Sequence, residues 1–216
     1  EKLTIRNGSV KQAVADTLGP SAAVVVENNE TLDLNNHNLT VASVAGAGDI
    51  TLGSGILTVG DSGDHHLSGV ISGTGALVKQ GAGQLILSGN QTYTGATAVD
   101  GGELRIGNGD GVAFPATSGV TVASGAVFAF DSSSNLTMSA GFLSGAGALL
   151  KDGSGELELA GKNTHTGGTT LAQGTLLIAG FDVDDASGDH LTGLGTGKVT
   201  VTGEATLKTD NNIAPT

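Results

Sequence analysis

Cysteine and tryptophan are missing from all 216 residues, and tyrosine occurs once, at Tyr93. Without cysteine there can be no disulfide, thiolate metal site or cysteine nucleophile. A chain that must stay unfolded while crossing a periplasm also benefits from having no thiol to oxidise. Aromatic residues are 3 % of the chain, so the core has to be built from many small aliphatic layers rather than a few large rings. Basic residues are scarce too: nine Lys and Arg stand against 21 Asp and Glu, for a net charge of −12. Nucleic-acid binding needs Lys and Arg to neutralise phosphates, and docking on anionic lipid needs a basic patch; neither partner is expected. No apolar run approaches the ~20 residues of a membrane helix, and no signal peptide is visible, so this segment is not expected to insert in a membrane. Helix signals are nearly absent. Residues 9–16 are the single stretch worth testing, at one or two turns.

Glycine is what fills the gap, with 37 residues, well over the usual share of about 7 %. The hydrophobic content of 38 % is too high for a disordered chain. Apolar and polar residues alternate in short runs: Thr31-Leu32-Asp33-Leu34, Gln84-Leu85-Ile86-Leu87, Glu103-Leu104-Arg105-Ile106, Glu156-Leu157-Glu158-Leu159 and Val199-Thr200-Val201-Thr202. A two-residue period over four or five residues predicts short strands with one buried face. Gly-X-Gly, Asp-Gly and Gly-Asn close them, residues that tolerate positive φ.

The strongest signal is an internal repeat. Residues 73–106, GTGALVKQGAGQLILSGNQTYTGATAVDGGELRI, align without a gap to residues 145–178, GAGALLKDGSGELELAGKNTHTGGTTLAQGTLLI. The offset in numbering is 145 − 73 = 72, and about half the positions are identical. Repeat copies therefore lie near 73–107 and 145–179, with a degenerate copy near 46–60. A Val-Thr-Val motif follows each full copy, at 120–122 and 199–201. Inside one copy there is a shorter beat: the strand near Ala76 recurs near Thr97, and the one near Gln84 recurs near Glu103. A beat of about 20 residues fits a solenoid coil whose strand edges stay unpaired until the next rung stacks on them. The expected fold is all-β: one single-stranded right-handed parallel β-helix over residues 1–216, with ten or so rungs. A β-sandwich would need neither the repeat nor so few rings. The chain starts at Glu1 without Met and is expected to be a fragment of something longer.

The segments Lys79-Gln80-Gly81-Ala82-Gly83-Gln84-Leu85-Ile86-Leu87 through Gly95, and Lys151-Asp152-Gly153-Ser154-Gly155-Glu156-Leu157-Glu158-Leu159 through Gly167, resemble the passenger-associated repeat of Gram-negative autotransporters. That pattern reads approximately K-x-G-x-G-x-L-x-L-x-G-x-N-T-Y-T-G-x-T. Gln91 stands in place of the usual Asn in the first copy, and His165 in place of the usual Tyr in the second. The resemblance implies a passenger segment exported across the outer membrane to the cell surface, with the β-barrel translocator elsewhere in the full-length chain. It also implies roles in adhesion, self-association or as a stalk, and a repeat linked to efficient secretion. Host-surface or bacterial-surface molecules, or further copies of the chain, would be the partners.

Several residue groups carry conceivable chemistry. Gly60-Asp61-Ser62-Gly63-Asp64 looks like the surroundings of a serine nucleophile, but only His37 precedes Ser62, and a triad needs a His base and a buried Asp on one scaffold. An Asx-type turn is the expected reading. Asp61, Asp64, His65 and His66 could gather around a metal, except that adjacent residues of a strand point to opposite faces. Asp182, Asp184, Asp185 and Asp189 make residues 181–190 acidic, without EF-hand spacing or a distal Glu; a loop leaving the rod is expected. Tyr93, and His165 at its repeat position, are expected to pack over a turn rather than to hold a glycan. Asn28-Asn29 and Asn35-Asn36 are expected to form part of an amide ladder. A polysaccharide-active β-helix enzyme would need clustered carboxylates in a groove, whereas the acids here are dispersed. No catalytic, cofactor-binding or metal-ligating residue is assigned, and no cofactor is expected.

Overall fold

Strands of two to six residues, each too short to be stable alone, stack in parallel on the strands one rung away in the computed structural model, which describes residues 1–115, 119–179 and 192–209. The chain winds through three faces per turn. The long face is a ten-stranded parallel sheet running from Lys2–Ile5 through Gln84–Leu87 and Ala148–Asp152 to Val199–Val201. With strands about 4.8 Å apart, its nine steps span about 43 Å. A second face holds four strands from Ser9–Lys11 to Ile71–Ser72 and, farther along, four from Leu136–Met138 to Ala205–Thr209. Between those two sets the chain crosses the face as coil, with Tyr93 N donating to Ile71 O at 3.2 Å and Gln91 N to Ala113 O at 3.0 Å. A third face has six strands, from Leu39–Val41 to Leu143–Gly145. The fold is the parallel β-solenoid that the repeat predicts. Residues 9–16 are not helical: Ser9–Lys11 is a strand paired with Thr31–Asp33, because a strand edge on the neighbouring rung satisfies its backbone where a two-turn helix would leave most groups unpaired.

The alternation of the sequence becomes inward-facing columns. Leu87, Ile106, Phe130 and Leu171 belong to one column on the long face, and Leu85, Leu104, Phe128 and Leu149 to its neighbour; all are at most 1 % exposed. The columns are not purely aliphatic. His65 is the rung neighbour of Leu85, Lys79 stands between Val59 and Val99, and Lys151 between Phe130 and Leu171. Nor are the few rings spread evenly. Tyr93, Phe114, Phe128, Phe130 and Phe142 pack edge-on or tilted, with centroids 4.9 to 6.5 Å apart. They gather where Val112 and Phe114 enter the core from coil rather than strand.

The offset between the two copies is not a whole number of rungs. Leu85, Leu104, Phe128 and Leu149 are successive neighbours on the long face, so three rungs advance the numbering by 149 − 85 = 64. The remainder of the offset, 72 − 64 = 8, equals the step from Leu77 to Leu85, one strand farther along the chain. The second copy is therefore turned by one face. Ala76–Lys79 is on the third face and its counterpart Ala148–Asp152 on the long face; Gln84–Leu87 is on the long face and Glu156–Ala160 on the second.

Leu157 is 1 % exposed between Leu136 and Leu176, while Glu156 faces out and accepts from Lys208 Nζ at 3.1 Å. Leu157→Asp is expected to cost about 3–5 kcal/mol, from the cavity and the buried carboxylate, and Glu156→Gln under about 0.5 kcal/mol, both read by urea unfolding. Hydrogen exchange in Leu157→Asp should lose protection around residues 140–179 before residues 20–60, since each rung touches only its neighbours. Tolerance at Leu157 with damage at Glu156 would invert the strand register.

Candidate functional site

Both repeat copies place the same polar set inside the rod. Lys79 and Lys151 each occupy an inward position at or near the end of a strand and are 2 % exposed. Their stems lie in the apolar columns, and each ammonium bends at the corner toward backbone carbonyls, as amphipathic side chains do. Lys79 Nζ donates to Gln80 O at 2.7 Å, Gly81 O at 3.2 Å and, on the next rung, Gly101 O at 3.2 Å. Lys151 Nζ donates to Asp152 O at 2.9 Å, Gly153 O at 2.8 Å and Gln173 O at 3.3 Å. An ammonium has three donors, and three carbonyls meet them in each copy. Gly81 and Gly153 turn the corner at φ of 71° and 78°, a conformation that L side chains avoid, which explains the glycine two residues after each lysine. Burial pulls both ammonium groups down from the ordinary lysine value; Asp61 and Asp64 oppose this at Lys79, and Asp152 and Asp131 at Lys151.

The Asn-Thr-Tyr-Thr-Gly part of the pattern is coil in both copies. Gln91 and Asn163 occupy its amide position and are buried. Ile71 N donates to Gln91 Oε1 at 2.8 Å, and Leu143 N to Asn163 Oδ1 at 2.8 Å. The amide nitrogens in turn donate to Gly69 O and Gly89 O in the first copy and to Gly193 O in the second. Tyr93 is fully buried with its hydroxyl 2.7 Å from Thr97 Oγ1. His165 takes the same place, with Nε2 2.9 Å from Thr169 Oγ1. Both departures from the family pattern keep the contact; Gln91 keeps the amide chemistry as well, whereas His165 changes it. Burial raises the Tyr93 phenol far above its usual value, so it stays a neutral hydroxyl. The imidazole Nδ1 of His165 is buried with no partner among the described residues, and burial lowers the pKa of this histidine below its ordinary value.

The other groups singled out in the sequence do not converge. Gly63 N donates to Asp61 Oδ1 at 2.8 Å, an Asx turn, and His65 Nε2 donates to the same oxygen at 2.9 Å. Burial would raise the Asp61 pKa, but the hydrogen bonds from Gly63 and His65 outweigh it and hold the carboxyl below its usual value. His66 points away, to Ser88 Oγ at 2.6 Å. Asp64 Oδ1 accepts from Gln84 N on the next rung at 2.8 Å. Among the described residues no three His, Asp or Glu side chains are grouped to hold a metal ion, and no helix is long and apolar enough to cross a membrane. Residues 181–190 lie outside the described residues. The asparagines form no amide ladder: Asn35 Nδ2 donates to Gln12 O at 3.1 Å, and Asn36 Oδ1 accepts from Ser54 N at 3.0 Å. The amides of Asn35 and Asn36 meet backbone one rung away; both residues are in left-handed turns, whose orphan backbone groups need partners.

One cluster went unseen in the sequence. Arg105 reaches Glu103 at 2.8 Å, Asp131 at 3.0 Å and Asp152 at 3.1 Å. Burial would lower the guanidinium pKa, but the hydrogen bonds to Asp152 and Glu103 outweigh it and the net shift is upward. Asp152 is far from Arg105 along the chain, and only the rung register brings them to one face.

Residues 77–106 and 149–178 match the family model described as passenger-associated-transport-repeat. The chain is 36 % identical over 139 residues, 55 % of its length, to the adhesin BmaC autotransporter of Brucella suis biovar 1. It is 47 % identical over 57 residues, 26 % of its length, to the Neisserial autotransporter lipoprotein NalP of Neisseria meningitidis serogroup B. A third relative, uncharacterized protein YuaQ of Escherichia coli K12, is 31 % identical over 175 residues, 80 % of the chain. The matched parts are 4 %, 5 % and 11 % of those three proteins. No solved structure matches the chain significantly.

His165 gives the constellation a pH dependence. Its folded pKa lies below the unfolded value of about 6.5, so the unfolded chain binds the extra proton and stability falls as pH drops below about 6.5. The urea midpoint should therefore be lower at pH 5 than at pH 7, and His165→Tyr, the first copy's solution, should flatten that slope. Equal slopes in parent and variant would remove the buried imidazole as the cause.

Proposed function

The chain is a passenger segment of an autotransporter, exported across the outer membrane to the cell surface, and we propose that it works there as a non-enzymatic adhesive rod. The observation that carries this reading is where the polar chemistry lies. Lys79, Lys151, Gln91, Asn163, Tyr93 and Thr97 are turned inward and bonded to the rod's own groups. The outward positions carry dispersed groups such as Thr58, Thr121, Ser144 and Thr170. A polysaccharide-cleaving β-helix would need paired carboxylates in a groove on one face; here Glu103, Asp131 and Asp152 are tied to Arg105. The similarity to an adhesin over more than half of the chain supports the adhesive reading. So does a net charge of −12, which keeps such rods soluble and favours contacts by hydrogen bonding over contact with bare acidic surfaces.

Because the chain spans so little of its relatives' length, we take it as one continuous segment of a longer rod, with the translocating β-barrel elsewhere in the full protein. Beads coated with the chain should cluster with one another, or attach to host cells or matrix, well above albumin-coated beads. Beads that do neither would reduce the segment to a spacer that carries some other part of the protein. Release of reducing sugar from surface polysaccharides by the purified chain would overturn the non-enzymatic reading.

A further inference from the structure

Rungs built from Gly, Val, Leu and Thr are nearly interchangeable. Leu57 and Leu77 are rung neighbours, as are Val99 and Val122, and removing one rung would bring equally good aliphatic residues together. A rung's net contribution is a small difference between burial and ordering entropy, so skipping one is a cheap error unless something inside marks each rung.

We propose that the buried polar side chains of each repeat act as register keys, which let a rung stack satisfactorily only on its own sequence neighbours. The bonds that matter are those crossing between rungs: Lys79 to Gly101 O, and Gln91 to Ile71 N and Gly69 O. Their counterparts are Lys151 to Gln173 O, and Asn163 to Leu143 N and Gly193 O. Extruding residues 82–101 and stacking Val120–Val122 directly on Ala76–Lys79 would keep the Gln80-Gly81 corner but take Gly101 away from Lys79 and Gln91 away from Ile71, leaving the buried N–H of Ile71 facing the apolar segment around Phe114. Unpaired groups of that kind are penalised far more than a made bond rewards, and fixing register is the best-attested use of buried polar groups. By contrast, Tyr93–Thr97 joins residues four apart within one rung, and a slip that extrudes that rung removes both partners together, leaving no group of the rod unpaired. The one-face turn between the copies puts the two lysines at different corners, Lys79 on a strand of the third face and Lys151 on one of the long face. Two corners of the rod are therefore keyed rather than one corner twice.

The absence of cysteine makes the test direct. Val78→Cys with Ala98→Cys reports the native stacking. Val78→Cys with Thr121→Cys reports the skipped rung, because two native steps place those positions about 10 Å apart, beyond the ~7 Å reach of a disulfide. The full chain is refolded from urea and oxidised, and the cross-links are mapped by peptide mass. The parent should give the native cross-link alone. Lys79→Met and Gln91→Leu, measured separately, should each remain protease-resistant and raise the skipped cross-link at least tenfold over the parent. Corner carbonyls released from Lys79 can turn to water, since Gln80 and Gly81 are exposed. The paired change Tyr93→Phe with Thr97→Val should leave the skipped cross-link at the parent level. The proposal is overturned if both single variants fold with no skipped cross-link, if neither folds at all (which would make the residues stability elements instead), or if the Tyr93/Thr97 control rises equally.

Discussion

A parallel strand of three to five residues has no stability until the next rung supplies partners for its open edge. The rest of the molecule follows from that constraint. Pairing at a fixed spacing forces each turn of chain to return above the last one, so apolar residues at alternate positions fall into columns and glycine collects at the corners. Burial then comes from stacked aliphatic layers, and a chain with almost no aromatic residues can still close a core. The five rings gather over three successive rungs, where coil replaces strand on the second face.

Corners are the weak points of such a coil, because the sheet ladder stops there while backbone groups remain to be satisfied. Two devices meet this need. On the outside, Asp and Asn side chains accept N–H groups from the following rung: Asn38 from Ile56 at 3.0 Å, Asp49 from Val70 at 2.8 Å, Asn90 from Ala113 at 2.8 Å and Asn135 from Glu156 at 3.0 Å. On the inside, the repeat lysines and amides do the same work from within the core. These Asn and Asp side chains thus have a structural use.

Architecture was legible in the sequence because it depends on period. Alternation marked the strands near Gln84, Glu103 and Glu156, the gapless repeat pointed to the solenoid, and Leu157 was correctly placed inside and Glu156 outside. The polar set of the repeat was legible only as pattern. Lys79 and Lys151 were visible as shared residues, but nothing in composition says that a lysine near a strand end points inward; that depends on a corner with three free carbonyls within reach. Tyr93 and His165 were expected to pack over a turn; both are instead fully buried in the core, each bonded to the threonine four residues on. The asparagine ladder failed because left-handed turns aim those amides at backbone, and the Arg105 cluster was invisible because its members meet only through register.

The sequence by itself determined that this chain is an all-β coil of short, regularly recurring rungs with repeats of the autotransporter passenger kind, since periodicity and glycine spacing are local properties that any stacking must respect. Only the tertiary structure decided which face each residue occupies. The two copies read in the sequence as one repeated unit, but the three rungs from Leu85 to Leu149 fall short of the full offset between them. The shortfall matches the step from Leu77 to Leu85 and rotates the second copy by one face. Rung length varies with the coil and corner residues each turn must accommodate. That sum is settled by stacking and hydrogen bonding across the whole rod, not by any single segment of the chain.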